Sequence, residues 1–234
     1  MTDGKTATTA GLRPRGRFIT LEGGEGAGKS TQARLLTEAL RARGLDVVQT
    51  REPGGSQGAE DIRALLVTGE PGRWDPMTEA LLHYAARRDH VRRVIAPALK
   101  AGRWVICDRF ADSTMAYQGY GHRMGRESIR RLDTLVLNRF RPDLTLILDL
   151  PVEEGLARAG RRAEAPGDAG EDRYERMDDG FHARMRAGFH TIADREPERC
   201  ALISAAEDVE AVHAAVLAVV ANRLPLPELK REAE

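Results

Sequence analysis

A glycine-rich stretch constrains this chain more than any other feature of its sequence. Residues 23–30 read GGEGAGKS and directly follow the apolar run FITLE at 18–22. Glycine has no Cβ atom, so such a loop reaches backbone conformations closed to other residues and lets a ligand approach the main chain closely. The lysine that follows the glycines indicates that this ligand is an anion.

The spacing of Gly23, Gly28, Lys29 and Ser30 fits G-x-x-x-x-G-K-[ST], the pattern of the phosphate-binding loop, or P-loop. In such a loop, backbone N–H groups converge on phosphate oxygens at the positive end of the following helix. Lys29 would reach the β- and γ-phosphates, and the Ser30 hydroxyl would ligate Mg²⁺. The alternative is a glycine-rich turn with a surface lysine. The residues predicted to bind the triphosphate are Gly23, Gly24, Glu25, Gly26, Ala27, Gly28, Lys29, Ser30 and Thr31.

Apolar runs alternate with amphipathic segments along the chain. This alternation predicts an α/β fold in which a P-loop NTPase-type parallel sheet of about five strands is flanked by helices on both faces. Ligands of such sheets bind at the carboxyl ends of the strands, where the polar loops of this chain occur. The predicted strands are 18–22, 47–50, 104–108, 144–150 and 201–204. The predicted helices begin after the glycine loop and end near Leu40, then cover about 59–66, 78–100, 126–139, 152–158 and 209–223.

The chain of 234 residues is long enough for one such domain, predicted at 17–224. We expect residues 1–16 to be a disordered extension without a secretory signal, and 225–234 to be a tail. Residues 157–175 are rich in Arg, Gly, Ala and acidic residues, which is typical of a solvated loop or of a mobile lid.

Charge and cysteine content narrow the class of protein. The formal net charge of zero argues against a binder of nucleic-acid polymers or of membrane surfaces. No apolar run is long enough to cross a bilayer. The two cysteines, Cys107 and Cys200, are too few for a disulfide framework and fit a reducing, cytoplasmic environment.

A P-loop alone does not separate a kinase from a GTPase or a motor ATPase, although the N-K-x-D motif of GTPases is absent. REPGG at 51–55, LLHYAARRDH at 81–90 and DRFADSTMAYQG at 108–119 resemble thymidylate kinases over about residues 18–220. The resemblance implies transfer of the γ-phosphoryl group of ATP to the small molecule dTMP, with Mg²⁺, in a homodimer. Two alternatives stay open, a kinase for another deoxynucleoside monophosphate and a nucleotide-binding relative without catalytic activity.

The DRF segment carries the most specific part of the resemblance. It implies that Arg109 holds the dTMP phosphate near the transferred group, unless Arg109 forms only a structural salt bridge. Asp108 would lie near Mg²⁺ through water or would orient Arg109. Tyr117 would contact the 2′ side of the sugar, although an aromatic residue there could equally belong to the core. Ser113, which could instead cap a helix, and Thr114 and Gln118 would lie at the thymine base.

The resemblance also places residues of the 78–100 helix at the base. Arg87 would donate to thymine, and four residues earlier His83 stands where the family usually has a stacking phenylalanine. An imidazole would stack more weakly and in a pH-dependent way, and Tyr84 could be the aromatic residue instead. Glu25 would contact the dTMP sugar. In REPGG, Pro53 and Gly54 would shape the wall beside the phosphates, with Arg51 and Glu52 as supporting or direct contacts, although turn formation alone would explain the Pro-Gly-Gly sequence.

The P-loop carries no arginine, whereas the segment at 157–175 carries several. The resemblance implies that this is the bacterial-type arrangement, in which a lid arginine assists phosphoryl transfer, although each single arginine could instead belong to a solvated charge run. Glu175 ends a D-R-x-E sequence and would approach the metal or the sugar. The resemblance thus implies three sets of residues. The catalytic set is Lys29, Arg109, Glu25, Arg158 and Arg162. The substrate set is Arg51, Pro53, His83, Arg87, Arg109, Ser113, Thr114, Tyr117 and Gln118. The metal set is Ser30, Asp108 and Glu175.

Overall fold

The computed structural model describes residues 15–163 and 173–227, which form a five-stranded parallel sheet in the order β2-β3-β1-β4-β5. This arrangement confirms the predicted fold class. Residues 1–14, 164–172 and 228–234 lie outside the described residues, and they include most of the predicted extension and tail and the middle of the predicted lid. The strands are β1 (Phe18–Gly23), β2 (Val47–Arg51), β3 (Trp104–Asp108), β4 (Leu144–Asp149) and β5 (Cys200–Ser204).

Helices cover both faces of this sheet. The helices are α1 (Lys29–Ala42), α2 (Gln57–Val67), α3 (Pro76–His90), α4 (Ala96–Lys100), α5 (Ala111–Thr114), α6 (Arg126–Leu137), α7 (Val152–Ala163), α8 (Asp179–Arg195) and α9 (Val209–Arg223). Every residue of β1 is buried, because one face of the sheet packs on α1 and α9 and the other on α3 and α4. A continuous apolar run is what a strand covered on both sides requires.

The long helix predicted at 78–100 is continuous in the structure but contains one π-helical turn. From α3 the chain passes through one π-helical turn at Val91–Ile95 directly into α4. Asp75 caps the start of α3 through its carboxylate, which accepts from the N–H groups of Met77 and Thr78.

Two helical segments were not predicted from the sequence. The DRF loop leads into α5 and a π-helical stretch at Met115–Gly121, and α8 follows the segment at 157–175. The apolar face of α8 is visible in the sequence, because Phe181, Met185, Phe189 and Ile192 repeat at helical spacing and are all buried. Asp178 caps this helix by accepting from the N–H of Phe181.

Three strand ends meet at one edge of the sheet. Arg51 at the end of β2 pairs with Asp108 at the end of β3, and Leu21 of β1 pairs with the same aspartate. The loops that follow β1, β2 and β3 are therefore neighbours, as expected for a ligand site of a parallel sheet. Among the described residues, no helix is both long and apolar enough to span a membrane.

Candidate active site

A cleft with a volume of about 300 Å³ opens at this edge of the sheet. It brings together residues of the P-loop, of the REPGG loop, of α3 and of the segment after β3. The predicted site residues that line it are Glu25, Gly26, Gly28, Lys29, Ser30, Thr31, Arg51, Pro53, His83, Asp108, Arg109, Ser113, Thr114, Tyr117, Gln118 and Glu175. The predicted residues Gly23, Gly24, Ala27, Arg87 and Arg158 do not line it, and the side chain of Arg162 is outside the described part.

The P-loop needs glycine for steric reasons. At Gly26, where φ is 66°, an added Cβ would lie 2.0 Å from the carbonyl oxygen of Gly155 in α7. At Gly23 it would lie 2.3 Å from the carbonyl oxygen of Leu148 in β4. The loop is thus pressed against α7 and β4, and only a residue without a side chain fits at these two positions.

Lys29 is buried at the start of α1 and faces the loop. Its Nζ donates to the carbonyl oxygen of Gly24 at 2.5 Å. Burial and the nearby charge of Arg109 lower the pKa of Lys29 to about 8, against the opposing charges of Glu25 and Asp108. The ammonium group is therefore poorly solvated and well placed to meet an anion.

Ser30 and Asp108 form an oxygen pair beside Lys29. The Ser30 hydroxyl donates to Oδ2 of Asp108 at 2.5 Å. The other carboxylate oxygen, Oδ1, is buried and has no hydrogen-bond partner within residues 15–163 and 173–227. Those residues hold no cluster of three His, Cys, Asp or Glu side chains able to bind a metal by itself. One hydroxyl and one carboxylate suit Mg²⁺, which keeps several waters and is usually completed by substrate phosphates.

Arg109 pairs with Glu25 across the cleft. The Nη2 of Arg109 lies 3.1 and 3.0 Å from the two carboxylate oxygens of Glu25, and its guanidinium lies 5.0 Å from the ring centre of Tyr117. Tyr117 donates its hydroxyl to Oε1 of Glu25 at 2.6 Å. Burial raises the pKa of Glu25, but the charges of Arg109 and Lys29 and the Tyr117 hydrogen bond outweigh it, so the pKa falls to about 2. The salt bridge considered as an alternative role for Arg109 therefore exists in this conformation.

Glu22, which sequence reasoning missed, supports the backbone at Arg109. Arg109 has a φ of 67°, a left-handed conformation unfavourable for a side chain of this size. Glu22 is buried in β1 and accepts from the N–H of Phe110 at 2.8 Å and from the Ser113 hydroxyl at 2.5 Å. Burial and the charge of Asp112 raise the pKa of Glu22 to about 8. A single buried carboxyl group thus fixes both the turn at Arg109 and the rotamer of Ser113.

Arg87 lies behind the cleft wall. It is buried and donates from Nε to Glu52 at 2.7 Å, from Nη1 to the Thr114 hydroxyl at 3.1 Å and from Nη2 to the carbonyl oxygen of Phe110 at 3.0 Å. Oε1 of the same Glu52 lies 3.0 Å from Nδ1 of His90. In this conformation Arg87 buttresses Thr114, and its contact with a base stays a prediction.

His83 faces the cleft, whereas Tyr84 does not. The Nε2 of His83 lies 2.8 Å from the hydroxyl of Tyr174, a residue that also lines the cleft. Burial lowers the pKa of His83 to about 4, despite the charge of Glu79, so the imidazole is neutral at pH 7. Tyr84 is buried against Ile129 and points its hydroxyl toward Asp133, which corrects the alternative that Tyr84 is the aromatic residue of the site.

Glu79 connects Gln118 to the end of the segment at 157–175. It accepts from Nε2 of Gln118 at 2.6 Å and pairs with the buried Arg173, which also donates to the carbonyl oxygen of Leu66. Burial raises the pKa of Glu79, but His122, His83 and Arg173 outweigh burial and lower it to about 2. The Oε1 of Gln118 is buried without a hydrogen-bond partner in the described part of the chain, which leaves an acceptor at the cleft wall.

Arg158, in the first part of the predicted lid, contacts the chain near the loop after β5. It donates to the carbonyl oxygens of Ala205 at 2.9 Å and Ala206 at 3.2 Å, and to Glu154 at 2.6 Å. Helix α7 extends to Ala163, five residues beyond the predicted end at 158. A role for Arg158 in phosphoryl transfer stays a prediction.

Some residues of the site were not predicted from the sequence. Glu79, which was also not predicted, does not line the cleft itself but accepts a hydrogen bond from Gln118, which does. The lining residues that were not predicted are Arg63, Val67 and Tyr174, whereas Glu52 was expected among the contacts of the REPGG loop.

Comparison with known proteins assigns the chain to a family. The family model described as Thymidylate kinase matches residues 21–216. The thymidylate kinase of Caulobacter vibrioides is 56% identical over 212 residues, which are 91% of this chain and 99% of that protein. The thymidylate kinase of Rhizorhabdus wittichii is 54% identical over 210 residues, which are 90% of this chain and 99% of that protein. The crystal structure of thymidylate kinase from Ehrlichia chaffeensis superposes with a TM-score of 0.70 at 38% identity, and covers 89% of this chain and 99% of that one. The chain therefore belongs to the thymidylate kinase family.

Proposed function

We propose that this chain transfers the γ-phosphoryl group of ATP to dTMP and so forms dTDP. One observation carries the proposal. A single cleft holds the P-loop residues Lys29 and Ser30 together with Arg109, Ser113 and Tyr117 of the segment after β3. Two phosphate-bearing substrates can therefore meet in one cleft.

The reaction is an in-line displacement. A phosphate oxygen of dTMP attacks the γ-phosphorus, a new P–O bond forms, and the bond from that phosphorus to the β,γ-bridging oxygen breaks as ADP leaves. The nucleophile is already an anion, so no general base and no covalent enzyme intermediate are needed. The chain's work is to align two polyanions and offset their repulsion, which Lys29 and Arg109 do from two sides.

The Arg109–Glu25 pair prepares the acceptor side. Without substrate, Glu25 neutralises Arg109 and holds its guanidinium in place. When dTMP binds, Arg109 turns its donors to the phosphate, and Glu25 keeps its bond to Tyr117 and accepts from the sugar. Arg51 and Pro53 form the wall beside the phosphates.

Ser30 and Asp108 would hold Mg²⁺, the serine directly and the aspartate through water, with Glu175 close by in the same cleft. Mg²⁺ held there would offset part of the negative charge of the triphosphate. The partnerless Oδ1 of Asp108 is the atom that such a hydrated cation would satisfy. Arg158 and Arg162 supply further positive charge from the segment at 157–175, which acts as a lid on a single domain at 17–224.

The base and sugar are recognised by the walls farther from the P-loop. The free Oε1 of Gln118 is an acceptor and suits the N3–H of thymine, whereas the unprotonated N3 of cytosine would leave two acceptors facing each other. His83 stacks as a neutral ring, Ser113 and Thr114 contact the base edge, and Arg87 positions Thr114. Tyr117 closes the 2′ side of the sugar, where a ribose hydroxyl would clash.

The chain acts in the cytoplasm as a homodimer. Cys107 and Cys200 are buried free thiols, which suit a reducing compartment. Leu81 of α3 and Leu135 of α6 are 49% and 80% exposed, and Met77 of α3 is 43% exposed. These side chains give α3 and α6 an apolar outer surface that a second copy would cover.

A coupled assay of ADP release tests the reaction. With Mg-ATP present, the rate is measured for dTMP, dUMP, dCMP and UMP as acceptors, and without an acceptor. We expect dTMP to be used best, dUMP less well, and dCMP and UMP poorly. A preference for another monophosphate would contradict the substrate, and ADP release that does not depend on any acceptor would contradict phosphoryl transfer.

A further inference from the structure

A second cavity, of about 330 Å³, shares no lining residue with the cleft. Its walls come from α3, α5 and α6, from the chain just before β4, from the C-terminal end of α8 and from the chain between α8 and β5. Its volume is close to that of the cleft, so it can hold a small organic molecule. None of the reaction steps described above uses it.

The cavity is rich in guanidinium groups. Five arginines face three carboxylates, which leaves two positive charges in excess. The charged lining residues are Arg126, Arg130, Arg141, Arg195, Arg199, Asp112, Asp133 and Glu196.

These arginines fall into two groups. Arg199 is engaged, since its Nη1 and Nη2 lie 2.6 and 3.0 Å from the two oxygens of Asp112, and Arg141 pairs with Asp133. Arg126, Arg130 and Arg195, by contrast, have no hydrogen-bond or ion-pair partner within residues 15–163 and 173–227. Arg130 and Arg195 are exposed and Arg126 is half-buried, so their guanidinium groups meet solvent at the rim of the cavity and are free to take up an anion.

We propose that this cavity binds a phosphate-bearing small molecule. A guanidinium group presents paired N–H donors that match two phosphate oxygens, and several such groups can share one phosphate. The apolar side chains of Met115, Ile129 and Ile192 also line the cavity and can cover a part of the ligand that carries no charge. Arg126, Arg130 and Arg195 bind the phosphate, and the Asp112–Arg199 pair borders it.

The cavity and the cleft meet at α5. Asp112 lines the cavity, while its neighbours Ser113 and Thr114 line the cleft. A phosphate that takes up donors of Arg199 competes with Asp112 for them. Binding in the cavity therefore changes the position of the turn that holds Ser113 against Glu22 and Arg109.

The proposed dimer leaves this cavity open. At ~3.6 residues per turn, Arg126 and Arg130 project from α6 roughly half a turn away from Leu135. A partner that covers Leu135 therefore packs on the opposite face of α6, and the two proposals are independent of each other.

Amide NMR on the full-length ¹⁵N-labelled protein tests the site, with inorganic pyrophosphate and dTTP as separate probes. Pyrophosphate is expected to shift two sets of amides, those of the P-loop at 23–31 and those around the cavity at 126–133 and 192–199. In the double variant R126Q/R130Q the cavity set should titrate about tenfold more weakly or worse, because charge-assisted hydrogen bonds are lost. The P-loop set should titrate as before.

The matched control is Arg131→Gln. Arg131 lies on the same helix, is paired with Glu127 and does not line the cavity, so this variant should bind like the parent protein. Cavity shifts with dTTP identify a nucleotide ligand, and shifts with pyrophosphate alone identify a site for phosphate groups without a base. Shifts confined to the P-loop, or a cavity set that R126Q/R130Q leaves unchanged, would overturn the proposal. Because the readout is positional, failure of the kinase assay would not affect this result.

Discussion

The two halves of the cleft hold their charged groups in different ways. In the half assigned to ATP, the loop offers main-chain N–H groups, and Lys29 is held by the carbonyl oxygen of Gly24 only five residues away. In the half assigned to dTMP, Arg109 is held by the carboxylate of Glu25, 84 residues away in the chain. The first half is thus a local backbone device, whereas the second is a set of buried side-chain pairs that exists only once the sheet has formed.

This difference determines how each half should respond to substitution. The P-loop half depends on the side chain of Lys29 for its positive charge and on its glycines for its backbone conformation. In the half built from buried pairs, each charged side chain has a charged partner. A substitution there therefore removes a contact with the ligand and also leaves the partner without its ion pair. Variants of the two halves should therefore differ in how much activity they lose and in which substrate's binding or turnover is affected.

The largest effect is expected for Lys29→Ala. Removing the ammonium group should lower kcat about 10³-fold or more, because a preorganised donor on the transferred group is lost. The fold should survive, since within the described residues the Lys29 side chain makes a single hydrogen bond, to the carbonyl oxygen of Gly24. Steady-state kinetics and a thermal melt check both statements.

The control for this variant is Arg34→Ala on the same helix. Arg34 pairs with Glu38 at the surface and does not line the cleft, so its loss should leave kcat unchanged. Turnover of Lys29→Ala near that of the control would show that the P-loop does not grip the transferred group.

A somewhat smaller effect is expected for Arg109→Lys. Lysine keeps the charge but loses the paired donors that reach Glu25, Ser113 and Gly23, so kcat/KM for dTMP should fall by about 10²-fold. The KM for ATP should change little. Arg103→Lys, at the other end of β3, is the matched control, because Arg103 pairs with Asp46 at the surface. Equal losses toward both substrates would contradict the division into two halves.

Glu22→Gln should change stability rather than binding. The pKa of Glu22 is raised from 4.5 to about 8, so between these pH values the folded chain binds a proton that the unfolded chain releases. The contribution of this group to stability is therefore full below about pH 4.5 and is lost as the pH rises toward 8. The amide introduced by the substitution is always neutral and can accept from Phe110, and its NH₂ group can donate to the Ser113 hydroxyl, which reverses the direction of that hydrogen bond. At about pH 8 the variant should have a free energy of unfolding ~1–3 kcal/mol above that of the parent chain.

Urea denaturation at about pH 5 and pH 8 measures this difference. The parent chain should lose more stability between the two pH values than Glu22→Gln does. If the two chains change in parallel, Glu22 is ionised throughout and does not hold the turn at Arg109 as a neutral acid.

The smallest effect concerns the pH dependence at His83. With a pKa lowered to about 4 by burial, His83 stays neutral between about pH 6 and pH 8. The KM for dTMP should therefore not vary with ionisation of His83 over that range, and the KM profile of His83→Phe should have the same shape. A parent profile with a step near pH 6.5 that is absent from the variant would show that the imidazole is ionised in the neutral range.

The same division explains what could be predicted from the sequence. Gly23 to Ser30 form a contiguous pattern whose strand and helix context is local, so the P-loop and the parallel sheet were predictable. Helix α8 was not predicted, although the helical spacing of Phe181, Met185 and Phe189 is a local signal for it. The partners Glu22 and Glu79 were missed because each meets its arginine, hydroxyl or amide partners only through the tertiary fold. Pairs between residues so far apart in the chain leave no local sequence pattern from which they could be predicted.

Calorimetric binding of each substrate to the two variants tests the central claim most directly. On this account, the P-loop backbone and Lys29 bind ATP, while Arg109 binds dTMP across the same cleft. Lys29→Ala should therefore weaken binding of the ATP analogue AMP-PNP with Mg²⁺ and leave dTMP binding intact. Arg109→Lys should do the reverse. Loss of both ligands in both variants, or of neither ligand in either, would contradict the account.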